Sequence, residues 1–192
     1  LLEQAQERVA EKGIALPGPN ISMLQASVIL ARAGRGEEAD LDKAAALFDV
    51  AEREGHSSTR RGLRAEIDCA RAALFLQRGD AASARERAES ALEIAKVTGN
   101  RIVGTAANQL LARARRAQGR HEDALAAAEG ALEGAKTIRD GEAQAAALLE
   151  RGLARRALGQ TLLAAHDLRD AASQLRGIWA SLSEDLRPDY QS

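Results

Sequence analysis

The chain is short of most residues that anchor a small protein. A single cysteine, Cys69, excludes an intrachain disulfide and fits a reducing, cytoplasmic setting. Aromatic residues make up only 2% of 192 positions, and three prolines interrupt the backbone. β-Branched and aromatic alternation is scarce, which argues against strands. No run of about 18 apolar residues occurs, so no membrane span is expected. The opening LLEQAQERVAEKG carries acids and no long apolar stretch, so it does not read as a signal peptide. It also lacks an initiator Met, so the chain reads as a piece of a longer protein. Charge of one sign is missing too. Lys and Arg number 27 against 28 Asp and Glu, which gives no whole-molecule attraction to nucleic acid or anionic membrane.

What the chain has is alanine at a fixed step. Ala44, Ala84, Ala124 and Ala164 lie 40 residues apart, as do Ala51, Ala91, Ala131 and Ala171, and Gly79, Gly119 and Gly159 keep the same spacing. Such a period marks an array in which each unit buries its apolar face against its neighbours. Alanine's helix propensity makes the fold class all-α. One solenoid domain over 1–192 is expected, with helix-turn-helix repeats at 20–55, 60–97, 100–138 and 141–182. A lone helix of a truncated repeat precedes them within 1–16, centred on Leu1–Glu11, and a tail follows at 183–192.

Within the units, Asn100 and Asp140 are predicted N-caps and Gly119 a helix stop. Val103, Ala107, Leu110, Leu111 and Ala114 follow the 3,4 spacing of one buried stripe. The segment Pro17-Gly18-Pro19-Asn20 is expected to break helix, so that the first repeat begins near Ser22. Gly34 to Asp40 reads as an insertion of about five residues between paired helices. At the far end, Trp179 is expected to cover the last apolar face.

These positions resemble a tetratricopeptide repeat array of a long, roughly 40-residue variety. Leu111-Ala112 stand at its Leu-Gly pair, Gly119 at its turn, and Ala124 and Ala131 at its small packing positions. Gly152, Gly159, Ala164 and Ala171 do the same one unit later. The aromatic positions depart from the pattern. Asn108 and Leu148 replace the tryptophan, Arg115 and Arg155 the tyrosine, and Ala88 and Ala128 the phenylalanine, while Phe48 and Phe75 keep that character. The resemblance implies a right-handed α-α superhelix whose first helices line a concave groove. Long alanine-rich units are also similar to repeat regions of large bacterial signalling proteins, such as ATPase-linked transcriptional regulators and kinases.

The first helices of units two to four hold thirteen arginines against four acids, Glu66, Asp68, Glu142 and Glu150. The second helices lean acidic, through Glu37, Glu38, Asp40 and Asp42 and through Glu122, Asp123, Glu129 and Glu133. Two readings stay open. One is a basic groove that docks an extended acidic peptide or a C-terminal carboxylate through arginine forks. The other is helix-dipole complement plus ion pairs between paired helices, with no ligand. Under the first, the groove residues are Glu66, Cys69, Gln109, Arg113, Arg116 and Arg156. Arg113, Arg116 and Arg156 are better aimed at it than Arg115 and Arg155.

Chemistry is not expected. His56, His121 and His166 are scattered without partners at metal-ligand spacing, so no metal or cofactor is implied. Cys69 has acids beside it and no local His, so it reads as a small packing residue bordering the groove. Phosphate-binding loops and nucleophile elbows are missing. The sequence therefore points to a non-catalytic interaction scaffold for a protein or peptide, within a larger regulatory protein. A peptide- or metabolite-sensing domain controlling an attached effector is the alternative. Few stacking aromatics argue against nucleic acid.

Overall fold

Alanine and glycine recurring every 40 residues let helix axes approach closely, and the fold is built on that approach. The computed structural model describes residues 18–56 and 61–181, and within them the side chains of 22–53 and 62–181. The expected helix over Leu1–Glu11, the tail 183–192 and the side chains of His56, Arg60 and Arg61 lie outside the described residues. Those described form eight helices and no strand. They are α1 (Gly18–Gly34), α2 (Leu41–His56), α3 (Arg61–Gln77), α4 (Ala81–Thr98), α5 (Arg101–Ala117), α6 (His121–Ile138), α7 (Gly141–Ala157) and α8 (Thr161–Ser181).

Each helix packs on the next, giving four consecutive hairpins: α1–α2, α3–α4, α5–α6 and α7–α8. The first helices also touch one another, α1 with α3, α3 with α5 and α5 with α7, whereas the second helices form no comparable row. The result is an all-α solenoid with the first helices along one wall. All four of those helices are 17 residues long, so equivalent positions can be compared directly.

The alanine ladder is the core. Ala44, Ala84, Ala124 and Ala164, with Ala51, Ala91, Ala131 and Ala171, are all buried. Phe48 is the one large aromatic completely enclosed among the described residues, packed with Ala26, Leu30, Ala44 and Leu74. Leu111 and Ala112 join Ala72, Ala88, Ala127 and Ala128 in a cluster that ties units two and three together. Trp179 near the end of α8 is half-buried.

Helix ends follow local chemistry. Asn100 and Asp140 cap α5 and α7, their side-chain oxygens accepting from Val103 N at 3.2 Å and Ala143 N at 2.9 Å. The hairpin turns use left-handed glycines, Gly79, Gly119 and Gly159, at φ 78, 75 and 76. Gly36, with φ 75, is their counterpart in unit one. Six residues separate α1 from α2 where three separate α3 from α4, so the insertion is three residues rather than five. The expected break before Ser22 does not form, since α1 already begins at Gly18 and Pro19 lies in its first turn. Proline is tolerated there because first-turn N–H groups have no intrahelical acceptor and its fixed φ suits a helix.

Two positions test the packing logic. Gly152 occupies the site held by Ala72 and Ala112, and a Cβ on it would meet Leu168 Cγ at 2.9 Å and the Ala164 carbonyl oxygen at 3.3 Å. Gly152→Ala is therefore expected to destabilise by about 1 kcal/mol net, overpacking outweighing the gain in helix propensity. At the turn into α7, Arg139 takes φ 57 where the turn into α5 uses Gly99 at φ 68. Arg139→Gly should stabilise by about 1 kcal/mol by relieving that left-handed conformation. Urea midpoints of the two variants check both signs.

Candidate functional site

The wall of first helices opens into a shallow depression where small side chains face each other. Cys69 and Ala70 of α3 and Ala106 of α5 leave space that Glu66, Ile102, Val103 and the cap Asn100 border, about 440 Å³ in all. Ile102 is 69% exposed at its edge. A smaller recess of about 270 Å³ lies on the other side of Asn100, against Leu92, Lys96, Arg101 and Gly104. The Cys69 thiol sits 4.0 Å from the Val103 carbonyl oxygen. Burial first, and then the Asp68 and Glu66 charges, push its pKa up to about 12. The thiolate is thus disfavoured, and Cys69 lines the depression without being a nucleophile at neutral pH.

The other expected groove residues are committed elsewhere. Gln109 Nε2 donates to the Ala143 carbonyl at 2.9 Å, bridging α5 to α7. Arg116 Nε donates to Glu150 at 3.0 Å, and Arg113 Nε lies 3.6 Å from the same carboxylate. Arg156 is exposed, and no ion pair involves it among the described residues. The six residues therefore divide. Glu66 and Cys69 meet at the depression, Gln109, Arg113 and Arg116 fasten neighbouring first helices, and Arg156 stands apart.

Arginine as a class is spent on the scaffold. Arg71 binds Asp49 and Glu52, and Arg78 binds Asp42. Arg115 reaches Glu89 at 3.3 Å, and Arg155 reaches Glu129 at 3.6 Å. Arg115 and Arg155 thus turn toward the second helices, away from the wall. The ion-pair reading accounts for most of the charge split, because most of the described first-helix arginines have an acid from an adjacent helix within reach. Arg64, Arg101 and Arg156 are the first-helix cations left without such a partner among the described residues.

Sequence reasoning missed the buried acids that organise these pairs. Asp68, at 2% exposure, accepts from Arg87 Nη1 at 2.9 Å and Ser90 Oγ at 2.8 Å. Asp167, fully buried, accepts from Arg151 Nε at 3.0 Å and Nη2 at 2.6 Å, and from Arg155 Nη1 at 2.8 Å. Arg87, Ala127 and Asp167 are the same position of α4, α6 and α8. One layer of each hairpin is therefore basic-on-acid in unit two, apolar in unit three (Ala127 with Leu111), and acid-on-basic in unit four. The 40-residue register carries only part of this signal, since Arg87, Ala127 and Asp167 change character along it while their partners Asp68 and Arg151 come from different positions of α3 and α7.

Among the described residues no group of three His, Cys, Asp or Glu side chains is placed to hold a metal ion. No described helix is long and apolar enough to cross a membrane. The chain matches no protein-family model, and no curated protein matches it.

Removing one side of a buried ion pair leaves the other desolvated, so Asp167→Ala should cost about 3 kcal/mol. Adding Arg151→Leu recreates the Leu111–Ala127 layer of unit three, and the double variant is expected to recover to within about 1 kcal/mol of the parent. Chemical denaturation of both variants measures this. Alkylation provides a second check. At pH 8, iodoacetamide should modify Cys69 in the folded protein about a thousandfold more slowly than in the unfolded chain, following its thiolate fraction.

Proposed function

We propose that this protein is a tetratricopeptide-type, non-catalytic scaffold that docks an extended segment of a protein partner along its wall of first helices. The observation that carries this reading is the open depression over Cys69, Ala70 and Ala106, with Ile102 exposed at its rim. A chain crossing there gains apolar contact over a strip whose backbone groups are already satisfied within helices. Arg101 and Arg156 keep their charge for a ligand carboxylate, while Arg113 retains exposure beside Glu150. The preferred ligand is accordingly a peptide with one apolar anchor and flanking acids. As a regulatory segment of a larger protein, the array would hold its partner rather than transform it.

Selection of a random peptide library on the folded chain tests this. Enriched sequences should pair an apolar residue with acids. Ile102→Asp and Arg156→Glu should each weaken binding about five- to tenfold, with the helical circular dichroism unchanged. Absence of any consensus, or affinities indifferent to both substitutions, would overturn the proposal.

A further inference from the structure

The smaller recess beside Asn100 lies between the end of α4 and the start of α5, and its charge is uncompensated. Arg101 is the first residue of α5, and no acid stands in that helix's first turn. A cation there faces the positive end of the helix dipole, so dipole complement does not explain it. The cap offers no relief, because Asn100 is neutral. Lys96, in the last turn of α4, brings a second positive charge to the same recess. Neither Lys96 nor Arg101 has an acid partner among the described residues. Glu93, the acid nearest to Lys96 in sequence, does not line the space.

The equivalent junction one unit later is built differently. Gly141 replaces Arg101 there, and Asp140 and Glu142 put negative charge at the start of α7. Gln144, half-buried, replaces Gly104, so a side chain stands where α5 leaves room. Packing does not demand the glycine. A Cβ at Gly104 would meet Ala95 Cβ at 3.6 Å, an ordinary contact. Glycine inside a helix is less stable than alanine. An open space of about 270 Å³ is thus kept where a side chain would strengthen the helix, with two unpaired cations beside it.

Position indicates the occupant. Asn100 lines both this recess and the larger depression over Cys69, Ala70 and Ala106, so the two lie one side chain apart. Two residues of an extended chain span about 7 Å and place their side chains on one face, which suits that separation.

We infer that the recess between α4 and α5 takes a carboxylate of the docked protein segment, two residues from its apolar anchor, through Lys96 and Arg101. This assignment rests on the docking proposed above and fixes its register: the apolar residue lies over Ala70 and Ala106, and the acid over Gly104. A neutral cap at Asn100 suits such a ligand, since an aspartate there would repel it. The carboxylate comes from an acidic side chain or from the end of the partner's chain.

Three short glycine-serine peptides, each with one leucine, test this on the full, isotope-labelled chain by NMR. Two positions after the leucine, the first carries aspartate and the second asparagine, both with amidated ends. The third ends at that position in a free carboxylate. Amide shifts of Ala70 and Ala106 report the depression, and those of Gly99 and Gly104 report the recess. The aspartate or the free-ended peptide is expected to move both sets and to bind about three- to fivefold more tightly than the asparagine peptide. Which of them does so names the source of the carboxylate. Lys96→Gln, Arg101→Gly and Gly104→Gln should each remove that difference, and the last two import residues that α7 already carries at these positions. Equal binding of all three peptides, with Ala70 and Ala106 shifting, would overturn the carboxylate site and leave the docking reading standing. No shift at Ala70 and Ala106 with any peptide would overturn the docking reading, and the register inferred from it falls too.

Discussion

Close helix contact at small residues is the constraint on which the structure rests. No unit has enough large apolar side chains to make a core of its own, and Phe48 is the one aromatic fully enclosed among the described residues. Stability comes instead from many alanines, each removing modest area from water, stacked at one repeating separation. Such a design tolerates little change in the spacing of its helices. A methyl group at Gly152 already meets Leu168 and the Ala164 backbone. The same economy explains why the turns and caps are so regular, since a hairpin delivered at another angle would miss its neighbour's alanines.

Alanine surfaces are nearly featureless, which raises the question of how the helices keep their order. Buried charge supplies an answer. Asp68 with Arg87, and Asp167 with Arg151 and Arg155, place opposite polarities in the same layer of two hairpins, with an apolar layer between them. Desolvation offsets much of the attraction in such pairs, so their main effect is on which partner is accepted. Exchanging helices between units two and four would bury like charges or leave one unpaired.

For the wall of first helices the consequence is that arginine is mostly consumed by the scaffold. The proposed docking of a peptide therefore rests on the shallow apolar depression beside Cys69, which is formed by the same small residues that the repeat packing requires.

Much of this was readable beforehand. The 40-residue step named the buried alanines, the capping roles of Asn100 and Asp140, and the left-handed glycines, because helix period and backbone sterics act locally. Pro19 and the length of the first turn were misjudged, since both depend on where a neighbouring helix draws the chain. The candidate groove was read least well. Glu66 and Cys69 do meet at the depression, but Arg113 and Arg116 are held by Glu150, a residue 34 positions away from Arg116. Composition and period alone therefore determined an all-α solenoid of alanine-packed hairpins, because those follow from short-range propensity and repetition. Only the tertiary structure decided which arginines are free, as an ion pair between helices depends on side-chain reach across a packed interface rather than on distance along the chain.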